Sequence, residues 1–300
     1  MGRGQRRKPY QRTPFLKLRP NLKLVVVGAG TMGSGIAYSS AIAGHDVVVV
    51  EQDRRFLEQG MRRIEEYVEK GLARGIVDNT RATETRSKLK GTIDFREACQ
   101  NADIVVEAVF EDPRVKEEVF AKLDQVSPKK TILASNTSSI SITRLASSTR
   151  RPEKVLGLHF FNPVPTMKLV ELIKGKHTSE ETVAAASSFV QTLGKTVVQS
   201  ADKTGFIVNR ALMPFINECV KLLDESVASR DDIDKAFVLG TNHPMGPLQL
   251  ADFIGNDVVL STLKVLEGEY GACFRPAKSL VSMVAQGKLG RKTKKGFYEY

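Results

Sequence analysis

The stretch Gly28-Ala29-Gly30-Thr31-Met32-Gly33 constrains this chain more than any other part of it. It directly follows the apolar run 24–27 and opens a run of small residues, 34–43, that reads as a helix. In a strand-turn-helix unit the three glycines provide, in turn, a tight turn, room for a phosphate to approach the backbone, and close packing of helix on sheet. The unpaired N–H groups and the positive end of the helix then hold a diphosphate. The next apolar run ends at Glu51, 23 residues after Gly28. A carboxylate there accepts the ribose hydroxyls of NAD and repels the 2′-phosphate of NADP. Gly28, Gly30, Thr31, Met32, Gly33 and Glu51 are therefore the expected cofactor residues, and NAD the expected cofactor. Asp53 is a second candidate for the ribose contact, and Arg54 and Arg55 keep NADP open because a guanidinium can hold a 2′-phosphate.

What surrounds the motif agrees with it. From residue 22 to about 201, short β-branched runs alternate with helical stretches, the pattern of a parallel sheet covered on both faces. Strands are expected at 22–28, 46–51, 103–109, 131–134, 155–160, 168–173 and 196–199. Asp112 and Pro113 start a helix after Glu111. Residues 54–90 read as an inserted helical pair, charged enough to project from the sheet. After Gly205 the period changes to that of amphipathic helices, expected at 206–227, 231–239, 247–267 and 277–286. The expected fold is α/β, a Rossmann-type, mostly parallel sheet followed by an all-helical C-terminal domain. A chain of 300 residues is long for one core. We divide it into a basic tail (1–20), a dinucleotide-binding domain with the inserted pair (21–204), and a helical domain (205–300).

The net charge of +11 suggests nucleic acid until its distribution is considered. Seven of the basic residues lie in the first 20, where there is no acid, so the rest of the chain carries only +4. Nucleic acid is thus not the expected partner. The tail reads as a disordered arm, with a transit peptide as the alternative. No run of 18 apolar residues predicts a membrane span. Three scattered cysteines, Cys99, Cys219 and Cys273, suit neither a disulfide framework nor a zinc site and point to a reducing compartment. The cytoplasm is expected, or an organelle matrix if the tail is a transit peptide.

Hydride transfer from an alcohol needs a base for its proton, and histidine titrates in the right range. Of four histidines, His45, His177 and His243 fall in turns or loops, while His159 sits inside an apolar strand. Asn162-Pro163-Val164-Pro165-Thr166 reads as a turn after it. A hairpin centred on Pro165 places Glu171 opposite His159, where a carboxylate fixes the imidazole tautomer and stabilises the imidazolium. A buried histidine satisfied by a buried glutamate in a purely structural pair is the alternative. Either way Glu171, isolated among apolar residues, is costly to bury unpaired.

These motifs carry a resemblance. His159-Phe-Phe-Asn-Pro-Val-Pro-Thr-Met-Lys-Leu-Val-Glu171, with Ser135-Asn-Thr-Ser-Ser139 before it and Gly205-Phe-Ile-Val-Asn-Arg210 after it, resembles the 3-hydroxyacyl-CoA dehydrogenase and 3-hydroxybutyryl-CoA dehydrogenase family. The likeness runs from about Leu24 to the closing Gly290-Arg-Lys-Thr-Lys-Lys-Gly-Phe-Tyr. It implies that His159 is the catalytic base and Glu171 its partner. By the same likeness Ser138 and Asn209 hydrogen-bond the substrate, Glu111, Lys116, Asn162 and Lys292 line the nicotinamide end of the NAD site, and Glu51 holds the ribose. The inserted pair around Tyr67 to Arg74 is where similar enzymes meet the CoA nucleotide. From the residues alone Ser138 reads equally as a helix cap, Asn209 as a surface residue, and the basic cluster Lys288 to Lys295 as a solvated face. Thr204 and Glu51 depart from the family's more usual Pro and Asp, and the basic tail has no counterpart.

The resemblance implies reversible NAD-dependent oxidation of a short (S)-3-hydroxyacyl-CoA, such as 3-hydroxybutyryl-CoA, to the 3-oxoacyl-CoA, by a homodimer. The alternatives are a sister dehydrogenase acting on a 3-hydroxy acid without CoA, and a non-catalytic NAD-binding protein.

Overall fold

The structure, a computed structural model, describes residues 21–300. The basic tail lies outside the described residues. The chain forms two compact units, one running up to Asn136 and resuming over Leu145–Gln199, the other made of Thr137–Arg144 and Ser200–Tyr300.

In chain order the elements up to residue 201 are β1 (Lys23–Val27), α1 (Thr31–Ile42), β2 (Asp46–Val50), α2 (Arg54–Ala73), α3 (Asn79–Ser87), β3 (Leu89–Thr92), α4 (Phe95–Cys99) and β4 (Ile104–Glu107). They continue with α5 (Pro113–Val126), β5 (Ile132–Ser135), α6 (Ile142–Ala146), β6 (Val155–Phe160), β7 (Leu169–Lys174), α7 (Glu180–Thr192) and β8 (Thr196–Ala201). The sheet has the order β3-β2-β1-β4-β5-β6-β7-β8. Neighbours from β3 to β6 are parallel and β6 pairs antiparallel with β7. Strands buried on both faces must be apolar throughout, as Val25, Val26, Val49, Val105 and Val106 are. Asp112 caps α5, its carboxylate accepting from Arg114 N and Val115 N, with Pro113 in the first turn. The order reverses between β1 and β4, and ligands of such sheets bind in the crevice beyond the strand ends at that point.

The region 54–90 differs from expectation. Its first helix does not project: α2 lies on α1, with Leu57, Ile64 and Val68 in the first unit's core and the Tyr38 and Tyr67 rings 5.5 Å apart. Its charges fill the outward faces, and a narrow stripe at helical spacing suffices for docking. The region also ends in a strand, β3, parallel to β2 at the sheet edge. Leu-Lys-Gly-Thr carries almost no strand signal, since an edge strand pairs on one side and need not be apolar.

The second unit is built from α8 (Val208–Asp224), α9 (Arg230–Thr241), α10 (Pro247–Ile254), α11 (Asn256–Tyr270) and α12 (Lys278–Ala285) around Met213, Ile216, Leu248, Leu263 and Leu280. The single helix expected over 247–267 is two, parted at Gly255, where φ is +105°. The unit is helical, as expected, with a short bridged turn at its end. Bridges Gly290 to Lys295 and Lys295 to Glu299 close the chain end, and Asp252 accepts from Phe297 N and Tyr298 N. An aspartate inside an amphipathic helix does not announce a backbone partner 45 residues away.

Candidate active site

The β1–α1 turn is shaped as a dinucleotide cradle. Gly28 has φ +101°, and a Cβ there would stand 2.6 Å from Ala108 O; a Cβ on Gly33 would stand 1.9 Å from Gly28 O. At Gly30 a Cβ would meet nothing within 4 Å. The space beyond is a cavity of about 480 Å³ lined by Gly28, Gly30, Thr31, Met32, Glu51 and Val109, at the point where the strand order reverses. A helix N-terminus, an open glycine and a carboxylate around one cavity fit a dinucleotide. Glu51 is held in place: Oε2 accepts from Ala29 N at 3.0 Å and Oε1 from Gln52 N at 2.8 Å. Asp53 instead caps α2, accepting from Arg55 N at 2.7 Å and pairing with the Arg55 guanidinium at 3.0 Å. Its carboxylate and that guanidinium serve each other, which favours Glu51 for the ribose.

On the antiparallel side of the sheet, the β6–β7 register pairs His159 with Glu171. Imidazole Nδ1 lies 2.7 Å from Glu171 Oε2, with Glu171 fully buried and His159 5% exposed. The connecting loop begins with exposed Asn162 and a cis bond to Pro163, and the Phe161 ring stands 4.6 Å from the imidazole. The carboxylate beside Nδ1 sets the orientation and tautomer of the ring. An imidazole buried and oriented in this way is chemically able to take a proton.

A buried polar network joins these two places, and its centre, Glu107, was not among the expected site residues. At the end of β4, Glu107 Oε1 accepts from Val109 N at 2.7 Å and from Lys116 Nζ at 2.5 Å, while Oε2 accepts from Ser135 Oγ at 2.6 Å. Lys116, 1% exposed, also lies 3.3 Å from Glu111, whose side chain is partly exposed. One strand over, Asn136 N donates to Glu107 O at 2.8 Å and Asn136 Oδ1 accepts from Phe160 N at 2.9 Å, next to His159. A signal existed: a lone carboxylate ends an otherwise apolar strand, Ile-Val-Val-Glu107. Burying that ion pair is tolerable only because both partners find further hydrogen bonds.

Ser138, Asn209 and Lys292 belong to the second unit. Near Ser138, Thr137 Oγ1 accepts from Ser139 N and Ile140 N, and the Asp202 carboxylate receives Ile142 N and Thr143 N at the start of α6. Asn209 is half-buried in the first turn of α8, beside Arg210, whose guanidinium lies 3.3 Å over the Tyr270 ring. Lys292 Nζ stands 2.6 Å from the Asp257 carboxylate. Burial pushes the Cys99 thiol up to about 11 and the Cys219 thiol up to about 12, so neither supplies a thiolate.

A Rossmann-type dinucleotide cradle with a buried histidine–carboxylate pair in the same unit fits an NAD-dependent oxidoreductase. Residues 23–203 match the NAD binding domain of 3-hydroxyacyl-CoA dehydrogenase, and residues 205–300 match the C-terminal domain of that enzyme. The chain is 44% identical over 280 residues to a 3-hydroxybutyryl-CoA dehydrogenase of Clostridioides difficile, covering 93% of this chain and 99% of the relative. It is 42% identical over 287 residues to the mitochondrial hydroxyacyl-coenzyme A dehydrogenase of Rattus norvegicus, covering 92% and 90%. Among solved structures, an (S)-3-hydroxybutyryl-CoA dehydrogenase from Ralstonia eutropha matches with a TM-score of 0.88 at 40% identity, covering 93% of this chain and 99% of that one. The chain belongs to the 3-hydroxyacyl-CoA dehydrogenase family, and its cofactor is NAD.

Proposed function

We propose that the chain oxidises (S)-3-hydroxyacyl-CoA to 3-oxoacyl-CoA reversibly, with short acyl chains such as 3-hydroxybutyryl-CoA preferred. The observation that carries this is the buried His159–Glu171 pair, set by strand register in the unit that also holds the dinucleotide turn. His159 Nε2 removes the hydroxyl proton as C3 gives up its hydride, and the Glu171 carboxylate stabilises the imidazolium so formed. Bound NAD supplies the hydride acceptor. Glu51 receives the ribose hydroxyls, and the family likeness assigns Glu111, Lys116, Asn162 and Lys292 to the nicotinamide end. Ser138 and Asn209 orient the thioester and the reacting oxygen. The names of the relatives in Clostridioides difficile and Ralstonia eutropha support the short-chain preference.

No helix among the described residues is long and apolar enough to cross a membrane. We place the protein in the cytoplasm, or in an organelle matrix if residues 1–20 are a transit peptide. We further propose a homodimer formed through the helical unit, which leaves Leu239, Phe253 and Val258 exposed.

The test follows NADH absorbance with acetoacetyl-CoA and with free 3-oxo acids. Turnover of the thioester and little of the free acids is expected, with rates falling from C4 towards C16. A free acid turned over as efficiently as the thioester overturns the CoA assignment. Tight NADH binding with no turnover of any 3-oxo substrate overturns the catalytic reading.

A further inference from the structure

Arg63, midway along α2, takes no part in the chemistry described so far, yet its guanidinium reaches the glycine-rich turn. Nη1 donates to Ala29 O at 3.0 Å and to Ser34 Oγ at 3.2 Å. Ser34 Oγ itself donates to Ala29 O at 3.0 Å, so two donors converge on that carbonyl. The approach is close because α2 carries Gly60 at the contact, where a Cβ would stand 2.5 Å from Ala29 Cβ and from Ala29 O. Arg63 is half-buried and, among the described residues, makes no ion pair. A half-buried guanidinium spent on a neutral carbonyl with no carboxylate partner is unusual, since a charged group drawn partly out of water normally takes one.

The peptide joining Ala29 to Gly30 explains what the arrangement accomplishes. In a planar trans peptide the C=O and the following N–H point in opposite directions. Pulling Ala29 O towards α2 therefore turns the Gly30 N–H away from α2. Gly30 lines the dinucleotide cavity, in a position where a Cβ would meet nothing. A charged donor on the carbonyl polarises the peptide and strengthens its N–H as a donor, and the positive charge adds to the field at the N-terminus of α1. The Glu51 carboxylate sits on the same turn through Ala29 N, so an uncompensated cation behind it also offsets repulsion between that carboxylate and an incoming diphosphate.

We propose that Arg63 is a positioning residue for the dinucleotide: it braces and polarises the Ala29–Gly30 peptide from behind and so raises affinity for the diphosphate of NAD and NADH. This rests on the NAD site described above.

The test is steady-state kinetics and NADH binding by fluorescence, with melting temperature measured alongside, for the full chain and for Arg63→Met and Arg63→Lys. Arg63→Met is expected to raise KM for NAD and Kd for NADH about five- to tenfold, as for losing a charge near a helix N-terminus, with kcat at saturating NAD within about twofold of wild type. Arg63→Lys, which keeps the charge but not the fork, should fall between them, and added salt should weaken NADH binding more in wild type than in Arg63→Met. A role confined to packing α2 on α1 would lower the melting temperature and leave KM for NAD within about twofold, and that result overturns the proposal. Should the Met variant fail to fold, Arg63→Gln decides by the same comparison, since it retains a donor without the charge. Wild type failing to bind NADH would overturn the cofactor site itself, whereas wild type and Arg63→Met binding equally well overturns only the role of Arg63.

Discussion

At His159 the chemistry turns on which ring nitrogen carries the proton. Glu171 engages Nδ1 at 2.7 Å, and in the proposed mechanism Nε2 acts on the substrate. Glutamine keeps much of the volume and can hydrogen-bond, but it cannot accept a proton at neutral pH. His159→Gln should therefore lose at least about a hundredfold in kcat, with NADH affinity unchanged because the dinucleotide cradle is built from other strands. Stopped-flow turnover together with an NADH titration checks this, and a kcat within tenfold of wild type would remove His159 from the mechanism. The same pair shows what could be read in advance. A lone Glu among apolar residues demands a partner, and the proline-cornered turn supplied one in register. Glu107 obeys the same rule but ends its strand, where a carboxylate can ordinarily reach water, and its partner Lys116 comes from a helix nine residues on. Nothing in local spacing says that both will be buried. The contacts of Arg63 were hidden for a similar reason, because they depend on how α2 lies against α1.

Among the elements, the β1–turn–α1 unit separates folding from binding at two neighbouring glycines. At Gly33 an added Cβ would stand 1.9 Å from the carbonyl of Gly28, and backbone cannot yield by rotating a side chain. At Gly30 the added Cβ enters open space, and φ is −68°, which alanine adopts freely. Gly33→Ala should thus lower the melting temperature by several degrees, and Gly30→Ala should leave it nearly unchanged while raising KM for NAD about tenfold, because the methyl group occupies room the diphosphate needs. Equal melting temperatures for the two variants would show that the close approach at Gly33 is not sustained in solution. Strong elements such as β1, β4 and α5 were legible because each carries both a period and a start or stop signal. Where a signal was lacking the reading went astray. β3 is an edge strand of Leu, Lys, Gly and Thr, and the break between α10 and α11 rests on a single glycine inside a continuous apolar stripe.

The molecule's response to acid depends on groups far from the chemistry, and His45 is the sharpest case. It is buried where α1 turns into β2; Nδ1 accepts from Leu22 N at 3.3 Å, and Nε2 lies 2.6 Å from Thr192 Oγ1, whose own hydroxyl donates to Phe189 O. Nδ1 therefore has no proton and Nε2 has one, so a second proton would cost the Leu22 bond and charge a desolvated ring. Burial accordingly lowers the His45 pKa below its ordinary 6.5; Asp46 opposes the shift and Lys88 adds to it. The sign of the linkage follows. As pH falls below about 6.5 the unfolded chain takes up a proton at this position before the folded chain does, so the unfolded state holds more protons and is favoured. The stability that His45 contributes is complete above that pH and declines steadily below it, until the folded ring also protonates. Melting curves at pH 7.5, 6.5, 5.5 and 5.0 should show wild type losing stability across this window. His45→Asn, which can still accept from Leu22 N but does not titrate, should show a flatter dependence even if it melts lower throughout. Parallel wild-type and variant curves would mean that another group governs the acid limb. The His45→Asn protein keeps the whole active site, so kcat at pH 7.5 should match wild type, which separates a loss of fold from a loss of chemistry.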